Sequence, residues 1–317
     1  MSASTTSTEA HPAELLAIDA GQTGIKTRLR LADGTTHDDL FAGVLTDRPL
    51  LPQLAEVAES IVRTAGTAPA TLTLGVSGLT DAQAEAEALL QRPDLAGILR
   101  VVATHDSVTS FLGVLGDRFG SVVAAGTGVV TLGVGPQHSV RVDGWGHIMG
   151  DAGSGYWIGR AALDAVMRAY DGRGPATALT DIVRERWPDL DLAYPQLQAS
   201  HDRVRTVASF AAATAVLAAD GDDVAGGICR DAARELALAA TTSLRMAEAP
   251  GDAAVGAVGG VFGSELIRSE FTAAVNAERP DARFVPPMGS GLDGAVALAG
   301  LGAQHPLRER FADVRRA

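Results

Sequence analysis

The sequence predicts an α/β fold built from two similar domains around a central cleft. Its 317 residues exceed what one hydrophobic core usually organises, so two domains are expected. Strand-like and helix-like apolar segments alternate after residue 70, which is typical of parallel strands joined by helical crossovers. An opening of three short strands with a glycine turn occurs twice, at about residues 15–44 and 121–143. A repeat of this length indicates a duplicated domain.

The first domain is predicted to begin with three strands, followed by alternating helices and strands. The apolar spacing over 50–65 is helical, with Leu51, Leu54 and Ile61 on one face. The predicted strands are 15–18, 25–31, one within 36–44, 72–76 and 99–104, and the predicted helices are 50–65, 81–91 and 107–115. Asp19, Ser77 and Asp106 lie at or just after the carboxyl ends of three of these strands, where parallel sheets usually bind their ligands.

The second domain repeats the three-strand opening and then becomes rich in helices. Its predicted strands are 121–125, 129–134, 140–143, 253–258 and 283–285, and its predicted helices lie within 156–249 and at 264–276 and 292–301. The predicted boundaries are a disordered tail at 1–12, an N-terminal lobe at 13–116 and a C-terminal lobe with a helical insertion at 117–302. A charged C-terminal helix at about 303–317 is expected to return to the first lobe.

Composition excludes several classes of function. The net charge is −12 without a long run of Lys or Arg, which argues against a nucleic-acid partner. The sequence contains no run of eighteen apolar residues, so no membrane-spanning helix is predicted. The first residues lack the pattern of a signal peptide. Cys229 is the single cysteine, so neither a disulfide framework nor a cysteine-based zinc site is expected. A cytoplasmic protein fits these observations, and the sequence leaves open whether it forms a homodimer.

Two glycine turns are candidate phosphate sites. In the first, Asp19 precedes the turn that contains Gly21, Gln22 and Thr23. Backbone N–H groups in such a turn form an anion-binding nest, and the carboxylate is placed to hold Mg²⁺ through water. An ordinary hairpin turn with a solvated aspartate is the alternative. The second turn, Gly126-Thr127-Gly128, occupies the same place in the repeated domain.

Asp106 is the candidate general base. It follows a strand between the two glycine turns, a position suited to take a proton from a substrate hydroxyl. The alternative is that Asp106 caps the following helix, as aspartate often does, since one carboxylate cannot face both partners well.

The segment GWGHIMGDAGSGYWIG at 144–159 combines six glycines with two of the three tryptophans of the chain. Glycines let a backbone approach a ligand closely, and tryptophan offers an apolar plate. The segment therefore predicts one wall of a binding site for a small polar molecule.

Together these motifs resemble the N-acetylglucosamine kinase branch of the actin-like ATPase and sugar kinase superfamily, grouped with the BadF-BadG-BcrA-BcrD ATPases. The resemblance covers about residues 15–300 and implies two ribonuclease H-like domains, ATP and Mg²⁺ as cofactors, and an amino sugar as substrate. Asp106 then corresponds to the base that deprotonates the sugar 6-hydroxyl. The implied sugar contacts are Ser77, Asp106, Thr127, Gly144, Trp145, Gly146 and Asp151, and the implied adenosine motif includes Gly259 and Gly260.

Two departures from the family pattern leave the identity of the sugar open. Ala152 stands where relatives usually have glutamate, and residues 42–47 lack the asparagine that contacts sugar hydroxyls. Glucosamine, N-acetylglucosamine and N-acetylmuramic acid are all retained. The leading hypothesis is thus an ATP-dependent hexosamine kinase. The alternatives are an activator-type ATPase, disfavoured by the single cysteine, and a sugar sensor without turnover.

Overall fold

The structure is a computed structural model that describes residues 13–45 and 48–316. The predicted disordered tail at 1–12 lies outside these residues. The chain divides into two compact units. The first unit extends to Asp117 and resumes at Met288, and the second unit is Arg118–Pro287. Residues 288–302, predicted for the C-terminal lobe, therefore belong to the first unit.

The first unit is a six-stranded sheet with helices. Its strands are β1 (Ala13–Ala20), β2 (Ile25–Leu31), β3 (Thr36–Phe41), β4 (Thr71–Val76), β5 (Arg100–His105) and β11 (Phe311–Arg315), in the order β11-β5-β4-β1-β2-β3. Its helices are α1 (Leu50–Ala65), α2 (Ala82–Leu90), α3 (Asp106–Leu115) and α10 (Gly291–Leu298). β1, β4 and β5 run parallel, whereas β2, β3 and β11 pair antiparallel with their neighbours.

Strand β1 is buried on both faces. Leu16 and Ile18 belong to the large core cluster that also contains buried residues of α1 and α2. Ala17 points to the opposite face and packs against Leu292 and Ala295 of α10. Alternation along a strand sends successive side chains to opposite faces, so this apolar run is what a central strand covered on both sides requires.

Helices α3 and α10 approach each other very closely because glycines line their contact. A Cβ added at Gly294 would lie 1.8 Å from the carbonyl oxygen of Thr109, and one added at Gly113 would lie 2.0 Å from that of Ser290. No larger residue fits at either position without moving a helix. The contact fixes the start of α10 relative to α3, which carries Asp106.

The C-terminal segment is not a helix, contrary to the prediction for 303–317. A 3-10 turn at Pro306–Arg310 leads into β11, which pairs antiparallel with β5. Arg100 of β5 donates to both carboxylate oxygens of Asp313, at 2.7 and 2.8 Å. The charged residues that suggest a helix instead form ion pairs across two strands, although the segment does return to the first unit as expected.

The second unit repeats the same strand arrangement. Its strands are β6 (Gly120–Ala125), β7 (Val129–Val134), β8 (Ser139–Val142), β9 (Ala254–Val258) and β10 (Arg283–Phe284), in the order β10-β9-β6-β7-β8. β6, β7 and β8 form the antiparallel opening, and β9 and β10 add in parallel. Two sheets with this topology in one chain confirm the predicted α/β fold class.

Helices make up most of the rest of the second unit. They are α4 (Gly155–Tyr170), α5 (Leu179–Arg186), α6 (Ala193–Ala199), α7 (Arg203–Ala219), α8 (Asp223–Met246) and α9 (Glu265–Glu278). Helix α8 packs its alanine-rich face on the sheet core, where Cys229 is buried. A separate apolar cluster around Val166, Trp187 and Phe210 joins α4, α5 and α7. In the part of the chain that the structure describes, no helix has the length and apolarity to span a membrane.

Candidate active site

Three predicted polar residues of the first unit lie at one edge of its sheet. Asp19 is the penultimate residue of β1, Ser77 follows β4, and Asp106 follows β5. Because β5, β4 and β1 are parallel neighbours, their carboxyl ends share this edge. The N–H of Ser77 donates to the carbonyl oxygen of Ala20 at 2.9 Å, which fixes the residue beside β1. The structure thus brings the three residues together.

The first glycine turn connects β1 and β2. The N–H of Gly21 donates to the carbonyl oxygen of Gly24 at 3.0 Å, and Gln22 and Thr23 are exposed at the tip. The chain after β3 is hydrogen-bonded to the turn, since Val44 donates its N–H to the carbonyl oxygen of Gly21 at 3.0 Å. A Cβ at Gly43 would lie 2.2 Å from the carbonyl oxygen of Gln22. Gly43 therefore lets the chain after β3 pass close to the backbone of the first glycine turn, a contact that the sequence did not reveal.

The Asp19 carboxylate faces the first residue of α10. A Cβ at Gly291 would lie 2.7 Å from Oδ2 and 2.9 Å from Oδ1 of Asp19, so only glycine fits there. Burial, and secondly the nearby charge of Asp106, raise the pKa of Asp19 from its ordinary 3.8 to about 6, while Lys26 opposes the rise. A carboxylate in this setting is stabilised by a cation.

Asp106 does not cap α3. The cap is His105, whose Nδ1 accepts the N–H of Ser107 at 3.2 Å, and Asp106 is the first helical residue. Nδ1 also lies 2.9 Å from Oδ1 of Asp106. The same nitrogen lies 2.9 Å from the Ser107 hydroxyl, and its tautomer determines whether it donates or accepts. Among the described residues Oδ1 of Asp106 is buried and has no hydrogen-bond partner, while the side chain as a whole is 27% exposed.

The second glycine turn connects β6 and β7 and is held by the start of α4. The N–H of Gly155 donates to the carbonyl oxygen of Gly126 at 2.7 Å, and that of Tyr156 donates to the carbonyl oxygen of Thr127 at 3.0 Å. Ser154 caps α4 by accepting the N–H of Trp157 at 3.2 Å. Gly126 and Thr127 stay exposed in this arrangement.

Asp151 lies against the second glycine turn. A Cβ at Gly128 would be 2.5 Å from Oδ2 of Asp151, which again leaves room only for glycine. Asp151 is buried and accepts backbone N–H groups from Gly146, at 3.1 Å, and from Val129. Burial is the main cause that raises the pKa of Asp151, and these hydrogen bonds oppose it. The predicted residues Gly128, Gly146 and Asp151 are therefore neighbours.

The loop between β8 and α4 has an unusual backbone and an exposed tip. Gly144 and Gly146 have φ angles of 80° and 83°, which favour glycine. Trp145 is 62% exposed, and the Arg141 guanidinium lies over its ring. The Cζ atom of Arg141 is 4.6 Å from the centroid of the Trp145 ring. His147 packs on the ring of Tyr156, with the two ring centroids 4.6 Å apart. Trp157, in contrast, packs against the core.

A cavity of about 340 Å³ lies within the second unit, between α7, the start of α9 and the second glycine turn. Gly260 lines it, whereas Gly259 has a φ of 102° and approaches the backbone of Ala125. The volume is within the range of small-molecule sites, and most of the walls are apolar. The lining residues are Gly126, Thr127, Gly155, Ile158, Arg205, Ala208, Ser209, Ala211, Ala212, Ala215, Gly260, Val261, Ser264 and Ile267.

Comparison with known families supports a nucleotide role for this architecture. Residues 18–299 match the model of the BadF/BadG/BcrA/BcrD ATPase family. The chain belongs to this family.

Two curated relatives of this ATPase-family chain carry amino sugar kinase names. It is 28% identical over 213 residues to N-acetylmuramic acid/N-acetylglucosamine kinase of Clostridium acetobutylicum, covering 63% of this chain and 67% of that protein. It is 44% identical over 75 residues to N-acetyl-D-glucosamine kinase of Dictyostelium discoideum, covering 23% of this chain and 24% of that protein.

Solved structures share the fold. A crystal structure from Chromobacterium violaceum, provisionally named an N-acetylglucosamine kinase, superposes with a TM-score of 0.72 at 25% identity, over 90% of this chain and 99% of that one. A ROK hexokinase from Thermus thermophilus gives a TM-score of 0.54 at 17% identity, over 90% of this chain and 97% of that one, which shows the fold alone.

The residues present fit Mg²⁺ bound together with phosphates. Within residues 13–45 and 48–316 no cluster of three or more His, Cys, Asp or Glu side chains is arranged to hold a metal ion. Mg²⁺ needs no such cluster, because it keeps several waters and binds one or two carboxylates plus substrate phosphate. Asp19, which is largely buried at the edge of the sheet, would provide such a carboxylate.

Sequence reasoning missed two parts of this ATPase-family site. One is the alanine face of α7, where Ala208, Ala211, Ala212 and Ala215 line the cavity. Their spacing of three, four and seven residues is the helical period, and it is visible in the sequence. The other part is Asp143, whose side chain accepts four backbone N–H groups of the loop between β8 and α4. Its only signal is an Asp-Gly pair after a strand.

Proposed function

We propose that this protein is an ATP-dependent kinase that phosphorylates the 6-hydroxyl of an amino sugar. One observation carries the proposal most strongly: the second glycine turn touches two different sites at once. Gly126 and Thr127 line the cavity, while Gly128 lies against the Asp151 carboxylate. A turn in this position supports a phosphate at one end of a nucleotide and a hydroxyl-rich ligand beside it.

The cavity of the second unit suits adenosine. Small side chains on α7 leave a flat apolar space, and Gly260 and Val261 complete it with backbone and one aliphatic group. Arg205 adds a guanidinium to the lining, and within residues 13–45 and 48–316 it forms no ion pair with a carboxylate. An arginine in this setting favours an anionic ligand such as a nucleotide phosphate.

The loop between β8 and α4 suits a sugar. Gly144 and Gly146 expose their backbone to a ligand, and Asp151 accepts hydrogen bonds from hydroxyl groups. Asp151 already holds two backbone N–H groups, so its position is set before the sugar arrives. Preorganised acceptors of this kind discriminate well between sugars that offer and lack a hydroxyl.

The chemistry requires a base and charge neutralisation. Asp106 takes the proton of the sugar hydroxyl as its oxygen attacks the γ-phosphorus and the bond to ADP breaks. Asp19 would hold Mg²⁺ through water, and the bound ion would neutralise phosphate charge. Each glycine turn offers backbone N–H groups that suit a phosphate oxygen.

N-acetylglucosamine, glucosamine and N-acetylmuramic acid are the candidate substrates. Ala152 contributes no carboxylate beside Asp151, and Arg141 places a positive charge over Trp145. Both features favour tolerance of the lactyl carboxylate of N-acetylmuramic acid. The name of the Clostridium acetobutylicum relative, N-acetylmuramic acid/N-acetylglucosamine kinase, supports two of these three candidates.

The test is ADP release by the purified protein with ATP and Mg²⁺, across the three amino sugars, glucose and no sugar. Release that requires one amino sugar supports the proposal and identifies the substrate. The 6-deoxy form of that sugar should bind without turnover, which checks the position of transfer. Release that ignores every sugar contradicts the proposal and favours an activator-type ATPase, whereas sugar binding without ADP release favours a sensor.

A further inference from the structure

The backbone conformation of the loop between β8 and α4 is not stabilised by apolar packing of its tip residues. Asp143 and Asp151 both have a φ of 59°, in the left-handed region that disfavours residues other than glycine. The tip residues Ile148 and Met149 are 86% and 84% exposed, so apolar burial does not hold them. Some other interaction must keep this backbone in place.

The Asp143 side chain supplies that interaction. Its Oδ1 accepts the N–H of Gly144 at 2.7 Å and that of Asp151 at 2.8 Å, and its Oδ2 accepts the N–H of Ala152 at 2.9 Å. The N–H of Trp145 approaches Oδ1 at 3.5 Å. One carboxylate therefore ties the first residues of the loop to its last residues, with hydrogen bonds strengthened by its charge.

The close approach at Gly150 shows how tightly the loop folds around this carboxylate. A Cβ at position 150 would lie 2.4 Å from Oδ1 of Asp143. The loop thus wraps around the Asp143 side chain, and glycine is the residue that allows it.

The hydrogen bonds of Asp143 also fix the position of the Asp151 carboxylate, the proposed acceptor for sugar hydroxyls. Asp143 binds the backbone N–H of Asp151, and the Asp151 carboxylate then accepts the N–H of Gly146 and lies against Gly128. Any shift of the Asp151 backbone would move this carboxylate away from the second glycine turn. The position of Asp151 hence depends on a residue eight positions earlier in the chain.

We propose that Asp143 is a positioning residue for sugar binding, which keeps Asp151, Gly144 and Gly146 in their binding arrangement. This inference rests on the proposed function, because it assigns the loop to the sugar. Asp143 acts through the loop backbone, so its loss should weaken sugar binding and leave nucleotide binding intact.

The chain offers a matched control in Asp222. Its carboxylate likewise accepts two backbone N–H groups, from Ala225 at 2.9 Å and from Ala178 at 2.8 Å, and the Thr177 hydroxyl at 2.9 Å. It joins two segments of the helical region, and neither segment lines the cavity or belongs to the loop. Asp143→Asn and Asp222→Asn therefore remove the same chemical feature at two places in one unit.

The experiment combines backbone amide exchange with steady-state kinetics. Asparagine tolerates the left-handed backbone and keeps one acceptor oxygen, so Asp143→Asn should fold. We expect faster exchange at residues 144–152, a KM for the sugar raised about tenfold and a KM for ATP within about twofold of wild type. Asp222→Asn should speed exchange near 177–178 and 225 and leave both KM values unchanged.

Two results would overturn the inference. Unchanged exchange at 144–152 in Asp143→Asn would show that the carboxylate does not hold the loop. Faster exchange with a sugar KM equal to that of Asp222→Asn would show that the loop conformation does not serve the sugar. A wild-type protein without sugar-dependent turnover refutes the proposed function instead, and the exchange measurement then still decides whether Asp143 holds the loop.

Discussion

Replacing Asp19 by asparagine should stabilise the unliganded protein at neutral and alkaline pH. The carboxylate is largely buried and lies near Asp106, and both causes raise its pKa from 3.8 to about 6. The folded protein therefore holds an ionised group in an unfavourable place whenever the pH exceeds that value. Asparagine has nearly the same shape and removes the charge.

The size and the pH dependence follow from the two pKa values. The difference between the ordinary pKa of Asp19, 3.8, and its pKa in the folded protein, about 6, corresponds to about 3 kcal/mol of unfolding free energy. Below pH 3.8 the Asp19 carboxyl group is protonated in both the folded and the unfolded chain, so it does not lower the free energy of unfolding. As the pH rises from 3.8 to about 6, the wild type loses this stability and the variant does not, so the gain is about half complete at pH 5 and complete at pH 8. Screening by water makes about 3 kcal/mol an upper value.

Urea unfolding of wild type and Asp19→Asn at pH 5 and pH 8, without nucleotide or metal, measures this effect. Asp39→Asn, on the exposed edge strand β3, is the control for loss of one negative charge from an acidic protein. The reasoning is refuted if Asp19→Asn is no more stable than wild type at pH 8, or if its gain is the same at both pH values. If the proposed function holds, the stabilised variant should also have lost kinase activity, as expected where a site stores electrostatic strain.

Three further predictions address the proposed machinery. Asp106→Asn should lower kcat by about 10²- to 10⁴-fold while calorimetry still detects sugar and ATP binding, and an unchanged kcat would exclude Asp106 as the base. Ala212→Leu, which fills the cavity, should raise the KM for ATP about tenfold in initial-rate assays, whereas Ala219→Leu, at the last residue of α7 and outside the cavity lining, should not. Arg141→Met should lower kcat/KM for N-acetylmuramic acid about fivefold more than for N-acetylglucosamine, and equal losses would contradict a contact with the lactyl carboxylate.

Much of the fold follows from local patterns. The spacing of apolar residues predicts β2 and α1 at the bounds that the structure gives, because each element buries one face or one stripe of its own residues. The grouping of Asp19, Ser77 and Asp106 also follows, since parallel strands bring their carboxyl ends to one edge. The two glycine turns are predictable because they repeat at matching places.

Other features depend on residues far apart in the chain. The segment 311–315 has charges that suggest a helix, but it becomes β11 because β5 offers an unpaired edge and Arg100 binds Asp313. Gly113 and Gly294 are glycines because two helices meet there, which neither local sequence shows.

The candidate site divides in the same way. The sequence by itself determined which residue types are present: a carboxylate after a strand, glycines in turns, and an aspartate within a glycine-rich loop. Only the tertiary structure decided that Asp143 holds that loop, that Gly291 faces Asp19, and that the alanines of α7 line a cavity. Periodicity and turn propensity report interactions within a few residues, whereas these contacts arise only when sheets and helices bring distant backbone atoms within hydrogen-bond or van der Waals distance.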